Sequence, residues 1–144
     1  MSVYKIPTLA EHYRSLKFCP LSKEGRGQIN QNQFYWEFDM KPSTFSKIYT
    51  IHIVWKKSEI YPNIFVLNQE VKEVSKTRTI PHLYDHKKIE LCLFYPSYNQ
   101  FNKSMSLSKT IIPWIKLWLI YYEYWLFSDE WKGGGIHPNL DKIS

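Results

Sequence analysis

The sequence predicts an α+β fold, in which helices flank an antiparallel sheet. Residues 34–40 carry an apolar side chain at every second position, and residues 47–56 alternate in the same way and are rich in β-branched side chains. Residues 111–127 are apolar and aromatic over a length typical of a helix. No linker, repeat or low-complexity tract separates these segments, so we expect residues 1–144 to form one domain.

A short amphipathic helix is predicted at residues 8–17. Thr8 and Glu11 have the spacing of a capping box, and apolar side chains then recur at helical intervals. Pro20 follows closely and cannot continue a helix, so we expect the helix to end before it.

The middle of the chain predicts an antiparallel meander. The extended segments are expected at residues 34–40, 47–56, 64–67 and 89–95. A polar, glycine-containing connector at residues 22–32 leads into the first of them, and a polar stretch at residues 72–88 precedes the last. The last extended segment contains Cys92.

A long helix at residues 111–127 is expected to cover the sheet. Thr110 is its predicted N-cap, and Pro113 is tolerated because it lies in the first turn. One face should form the core with the sheet, through Trp114, Trp118, Tyr121 and Trp125. Lys116 and Glu123 interrupt the segment, and it falls short of the roughly 20 residues of a membrane span, so no membrane association is expected.

Charge and cysteine content limit which partners and which cellular compartment are expected. The formal charge of +6 favours an acidic partner, but the basic residues are scattered and no nucleic-acid motif occurs, so nucleic acid is not expected. The N-terminus lacks the apolar core of a signal peptide, and the sequence has only two cysteines. We therefore expect a cytoplasmic protein with two thiols rather than a disulfide.

Most cofactor and metal chemistry is excluded by missing motifs. The sequence has no paired CxxC, no HExxH, no P-loop and no GxSxG, and its three consecutive glycines follow a helix rather than a strand. No cofactor and no metal is expected. A cysteine with histidines remains, the combination in which an imidazole assists an attacking thiolate.

Cys92 is the stronger nucleophile candidate of the two cysteines, since Cys19 stands beside Pro20 at a predicted helix end. A cysteine within an apolar strand is, however, more often a small core residue than a nucleophile. Residue types alone leave both readings of Cys92 open.

The order of several landmarks resembles that of the ubiquitin-conjugating enzymes. A Tyr61-Pro62 pair comes first, and His82 then precedes Cys92 by ten positions, with Cys92 in a Leu-Cys-Leu segment. In that family a Tyr-Pro pair, a His-Pro-Asn triplet and the acceptor cysteine follow in this order, between an N-terminal helix and a long helix. The resemblance implies a ubiquitin-conjugating-like fold.

Two departures point to a compact bacterial branch. Tyr84 stands at the position of the family's asparagine, and the two C-terminal helices of eukaryotic members are not expected after the long helix. The segments PHLYD, ELCLFYP and WKGGGIHP are similar to those of the ubiquitin-conjugating-like protein of bacterial type II CBASS antiphage operons.

The resemblance implies a cysteine-dependent acyl carrier in antiviral defence. Cys92 would form a thioester with the C-terminus of a cGAS-like nucleotidyltransferase and pass it to an amine on a protein or a small molecule. Tyr84 would donate to the oxyanion or serve as a packing residue. His82 is expected to hold the flap, the segment at residues 82–84, by hydrogen bonds, and either His137 or His82 would act as base toward the amine, with His137 the favoured candidate. An activating enzyme is a further candidate partner.

Two alternatives belong to other functional classes. A cysteine hydrolase would use the same Cys/His pair, but papain-like enzymes place the thiol at a helix start, whereas Cys92 lies in a strand-like segment. A non-catalytic adaptor would keep the fold and bind one partner through its aromatic surface. Solvent access to the Cys92 thiol separates the adaptor from both enzymes.

Overall fold

Three helices and a six-stranded antiparallel sheet make up residues 5–94 and 100–133, the part of the chain that the computed structural model describes. The helices are α1 (Leu9–Phe18), α2 (Gln69–Thr77) and α3 (Ile111–Ser128). The strands are β1 (Gly25–Ile29), β2 (Gln33–Met40), β3 (Tyr49–Lys56), β4 (Asn63–Val66), β5 (Leu83–Asp85) and β6 (Glu90–Leu91), in the spatial order β1-β2-β3-β4-β6-β5. The predicted α+β class is confirmed.

Helix α1 begins with the predicted capping box. The Glu11 backbone N–H donates to the Thr8 hydroxyl oxygen at 3.1 Å, and the Thr8 N–H donates to the Glu11 carboxylate at 3.0 Å. Two amide groups at the start of the helix are thereby satisfied. The helix ends at Cys19, whose backbone is extended, immediately before Pro20.

Strands β2 and β3, which the sequence predicted, are the two longest strands of the sheet. They pair antiparallel over their whole length, with Trp36 opposite Ile53. One face of β2 is buried at every second residue, which is the alternation seen in the sequence. The side chains that this pair contributes to the core are Phe34, Trp36, Phe38, Met40, Tyr49, Ile51, Ile53 and Trp55.

The connector predicted at residues 22–32 contains a strand, β1, which corrects that expectation. It pairs with β2 from Gly25 to Ile29, but its side chains are almost all exposed, so it has no apolar alternation to reveal it. Its glycines allow close approach to β2: a Cβ atom on Gly27 would lie 2.1 Å from the Tyr35 carbonyl oxygen and 2.8 Å from the Trp36 ring. Backbone pairing with β2 and the ion pair between Arg26 and Glu37 hold this strand in place.

The polar stretch predicted at residues 72–88 is also more ordered than expected. It includes most of α2 and all of β5. Helix α2 buries Val71 and packs Val74 against the core, so its apolar face consists of two valines among polar residues, which is too little to identify the helix from its sequence. Of residues 89–94, the described part of the extended segment predicted at residues 89–95, only Glu90–Leu91 is a strand, and the chain leaves the sheet at Cys92.

Helix α3 covers the sheet and extends one residue beyond its predicted end. Trp118 and Trp125 are buried as expected and Trp114 is partly buried against the core, but Tyr121 is only half-buried and Tyr122 takes the core position beside it. Thr110 is the N-cap residue, but its hydroxyl donates to the Ser106 carbonyl and makes no side-chain cap.

A charged side chain within this apolar helix has a specific role in packing. The Glu123 carboxylate accepts from the Ser46 hydroxyl at 2.6 Å and from the Tyr49 hydroxyl at 2.9 Å, which ties α3 to the start of β3. Within residues 5–94 and 100–133, no helix is long and apolar enough to cross a membrane.

The glycines of β1 generate a prediction about stability. Gly27→Ala should lower the free energy of unfolding by about 1–3 kcal/mol, because the new methyl group must displace the Tyr35 carbonyl or the Trp36 ring. Urea unfolding followed by tryptophan fluorescence measures the change. Gln28→Ala, on the same strand and exposed, is the matched control and should lose less than about 0.5 kcal/mol. Equal losses in the two variants would contradict close packing at Gly27.

Candidate functional site

Cys92 lies immediately after β6, where the chain leaves the sheet. Its backbone N–H donates to the His82 carbonyl at 2.9 Å, and its thiol lies 3.5 Å from the Phe94 carbonyl oxygen, to which it donates. The residue is 5% exposed. The thiol is therefore covered in this conformation, and any acyl transfer at Cys92 requires the segment to open.

His82 joins Cys92 to helix α3 through its backbone. Its carbonyl accepts from the Cys92 N–H and also from the Trp118 indole N–H, at 3.1 Å. His82 has a φ of 56°, a left-handed conformation that is uncommon for residues other than glycine. That conformation is costly unless neighbouring contacts stabilise it, so the two bonds to the carbonyl contribute to holding this backbone.

Tyr84, on β5, places its hydroxyl beside the thiol. The hydroxyl donates to the Phe94 carbonyl at 3.2 Å, the same oxygen that the Cys92 thiol contacts. Burial, and after it a hydrogen bond with the Cys92 side chain, raise the pKa of the Tyr84 hydroxyl above its usual value. Tyr84 therefore remains a protonated hydrogen-bond donor at physiological pH.

An aromatic cluster holds the segment that follows the thiol. The Phe94 ring lies 5.4 Å from the rings of Tyr61 and Phe101 and 5.9 Å from that of Trp114, measured between centroids. The Tyr-Pro pair that the sequence analysis singled out thus contributes Tyr61 to the packing behind Cys92. Contacts of this geometry add stability beyond the apolar area that they bury.

The chain after α3 returns to the flap. The Trp131 ring lies 5.3 Å from the His82 ring and 5.4 Å from that of Trp118. A Cβ atom on Gly133 would lie 2.5 Å from the Tyr121 ring, so the backbone there is also tightly packed. His137 lies outside the described residues, and its proposed role has no geometry to support it here.

Three of the four predicted site residues therefore converge in the structure: Cys92, Tyr84 and His82. Sequence reasoning missed two supporting residues, Phe94 and Trp118. The spacing of Trp118 predicted burial, but nothing in it indicated that its N–H would bond the His82 carbonyl. Neither cysteine forms a disulfide, and Cys19 lies in the core at the end of α1.

The described residues offer no alternative metal centre. Within residues 5–94 and 100–133, no group of three or more His, Cys, Asp or Glu side chains could hold a metal ion.

The fold and the site define an α+β protein with a thiol at the end of a sheet, beside a tyrosine hydroxyl and beneath a histidine-containing flap. Residues 15–138 match the sequence model of the family described as Type II CBASS E2 protein, and the chain belongs to that family. The family description implies a role of the conjugating type within the CBASS system. No curated protein matches the chain.

The hydroxyl of Tyr84, which is partly buried although the residue is 40% exposed, generates a prediction about pH. Its pKa in the folded protein is raised above the value near 10 expected in the unfolded chain, so its contribution to stability is present below about pH 10 and is lost as pH rises further. The stability difference between wild type and Tyr84→Phe should therefore be constant from pH 7 to 9 and shrink from pH 10 to 11. Urea midpoints across this range measure it. A stability difference that grows above pH 10 would contradict a raised pKa for the Tyr84 hydroxyl.

Proposed function

We propose that this protein is a ubiquitin-conjugating-like transferase that carries an acyl group on Cys92 as a thioester. The cargo is the C-terminus of a cGAS-like nucleotidyltransferase of the same system, and the acceptor is an amine on a protein or a small molecule. The observation that carries the proposal is the Tyr84 hydroxyl, which donates to the same Phe94 carbonyl oxygen as the Cys92 thiol and so lies beside that thiol. A thiol with a protonated donor beside it has the groups that thioester exchange requires.

The order of the elements supports a ubiquitin-conjugating-like domain over residues 1–144. An N-terminal helix, a sheet whose first four strands follow chain order, a thiol after the last short strand and a long covering helix occur in the sequence expected of that fold. The His82 flap and the Cys92 segment are adjacent, joined by a backbone hydrogen bond.

Loading begins when the Cys92 thiolate attacks the carbonyl carbon of an activated cargo C-terminus. A carbon–sulfur bond forms, and the bond to the activating group breaks, with the electron pair leaving on that group. Because the sequence has no nucleotide-binding motif, an activating enzyme supplies the cargo already activated. The carbonyl oxygen becomes an oxyanion in each tetrahedral intermediate, and the Tyr84 hydroxyl donates to it.

In the transfer step, the Cys92 sulfur that attacked during loading becomes the leaving group. The acceptor amine attacks the thioester, an amide bond forms, and the Cys92 thiolate leaves. The amine must lose a proton, and we assign His137 as the base that receives it. His137 follows Trp131 by six positions, and Trp131 packs on the His82 ring, so the chain leading to His137 starts at the flap.

In this structure the Cys92 thiol and the Tyr84 hydroxyl are not available to a cargo. The Phe94 carbonyl accepts from both the Cys92 thiol and the Tyr84 hydroxyl, so it occupies the hydrogen-bonding groups that the reaction needs. Movement of the segment that carries Phe94 would uncover the thiol and release the hydroxyl in one step. Loading therefore depends on an opening motion that cargo binding favours.

The burial of the thiol favours a second candidate, the non-catalytic adaptor. At 5% exposure Cys92 resembles a core cysteine, and core thiols are commonly inert. In an adaptor the fold would bind its partner without an adduct, and loss of the thiol would not affect defence.

The first functional prediction concerns the two cysteines. With the cargo and its activating system co-expressed, Cys92→Ala should abolish a reducible adduct of protein and cargo, because no sulfur remains to form the thioester. Cys92→Ser should give an adduct that resists thiol reductants, since an alkoxide is a poorer leaving group than a thiolate. Cys19→Ala is the matched control, another buried thiol, and should keep the adduct. Denaturing gels with and without reductant, followed by mass spectrometry, measure all three.

The outcomes separate the candidate functions. An adduct on Cys19, or an undiminished adduct in Cys92→Ala, would contradict the carrier proposal. Full antiphage protection by Cys92→Ala, provided that the variant is folded, would favour the adaptor. Release of free cargo carboxylate from the adduct without any amide product would favour the hydrolase.

The second functional prediction separates loading from transfer. In His137→Ala the cargo should still load onto Cys92, but its transfer to the amine should be slow, because the base is needed only when the amine attacks. The thioester should therefore accumulate. Tyr84→Phe should slow both steps by about 100-fold, the scale of losing one oxyanion donor. Single-turnover assays with a pre-activated cargo measure each step. His86→Ala is the histidine control, and equal thioester accumulation in His86→Ala and His137→Ala would remove the specific role of His137.

A further inference from the structure

A cavity of about 360 Å³ lies apart from the thiol site, between the first turn of α1, the turn that joins β1 and β2, and the end of β3. None of Cys92, Tyr84 and His82 lines it. A volume of this size lies at the lower end of sites that hold small organic ligands.

The floor of the cavity is aromatic and rigid. Trp55 is 1% exposed and His12 is 3% exposed, and their ring centroids are 4.6 Å apart. Leu9 and Ile29 add apolar walls. This surface is complementary to a flat or apolar ligand body.

The charge of the cavity is positive. Lys57 and Lys103 line it, and the lining contains no carboxylate. The Lys103 ammonium lies 3.4 Å from the Lys57 carbonyl oxygen, which brings the two lysines together at one side. Neither lysine forms an ion pair within residues 5–94 and 100–133. Two such ammonium groups favour an anionic group on the ligand.

His12 also lines this cavity. Its Nε2 lies 2.9 Å from the Lys103 carbonyl oxygen, and because a carbonyl only accepts, Nε2 carries the proton. Burial lowers the pKa of His12, so its ring is neutral at pH 7 and adds no positive charge to that of the two lysines.

We propose that this cavity binds a small organic anion whose carboxylate or phosphate contacts Lys57 and Lys103 and whose flat apolar body lies against Trp55. The ligand site is distinct from the thiol site, and its test involves no thioester chemistry. Its outcome is therefore independent of the function proposed above.

Two anionic probes and their neutral counterparts test the proposal on the full chain. The pairs are AMP with adenosine, and N-acetyltryptophan with N-acetyltryptophanamide. In ¹H–¹⁵N NMR titrations, at least one anion should give saturable shifts concentrated at the backbone amides that surround the cavity. Its neutral counterpart should bind at least about fivefold more weakly, because it lacks the charge that the lysines contact. The anion that binds shows whether the site accepts phosphate or carboxylate.

Three lysine variants locate the binding. Lys57→Gln and Lys103→Gln should each lower the affinity for the anion by about two- to fivefold, and higher salt should lower that affinity as well. Lys56→Gln, one residue earlier and outside the cavity lining, is the matched control and should bind as the wild type does. The proposal is overturned if neither anion saturates below about 10 mM, if the neutral probes bind equally well, or if Lys56→Gln loses as much affinity as Lys57→Gln.

Discussion

The His82 carbonyl is the atom on which the site depends. It accepts from the Cys92 backbone at 2.9 Å and from the Trp118 indole at 3.1 Å, so a single acceptor joins the flap, the thiol segment and the covering helix. Both donors are buried, and a buried donor that loses its partner costs roughly 1–3 kcal/mol. The position of the thiol relative to α3 is therefore fixed by backbone and indole geometry rather than by the histidine ring.

Aromatic packing rather than ion pairing stabilises the surroundings of this atom. Trp131 covers His82 on one side, and the Phe94 cluster supports the thiol segment on the other. Several of the ion pairs are solvent-exposed, as between Lys76 and Glu73, and pairs of that kind contribute little. Arg78 differs from these exposed pairs. Its guanidinium lies 3.9 Å from the centroid of the Trp125 ring and donates to the Trp125 and Leu126 carbonyls near the end of α3. It ties the end of α3 to the end of α2, just before the flap begins.

A covered thiol suits the carrier proposed above, because burial limits side reactions of the thiol. The contacts that cover Cys92 include a weak thiol hydrogen bond to the Phe94 carbonyl, with a tyrosine hydroxyl on that same oxygen. Cys19 belongs to the main core cluster, whereas Cys92 does not, so exposing Cys92 would leave that cluster in place. The difference between these two buried thiols lies in what would have to move to expose them.

The sequence by itself determined the elements that carry strong periodicity or explicit end signals. Alternation identified β2 and β3, the Thr8–Glu11 spacing identified the start of α1, and an apolar run identified α3. The order Tyr61, His82, Cys92 indicated the site. Only the tertiary structure decided β1 and α2. Strand β1 is held by backbone pairing and the Arg26–Glu37 ion pair with β2, and the apolar face of α2 consists of two valines, so both segments read as polar in the sequence. The same holds for the covering of Cys92 and the bonds to the His82 carbonyl, since contacts between residues distant in the chain depend on packing that no local pattern records.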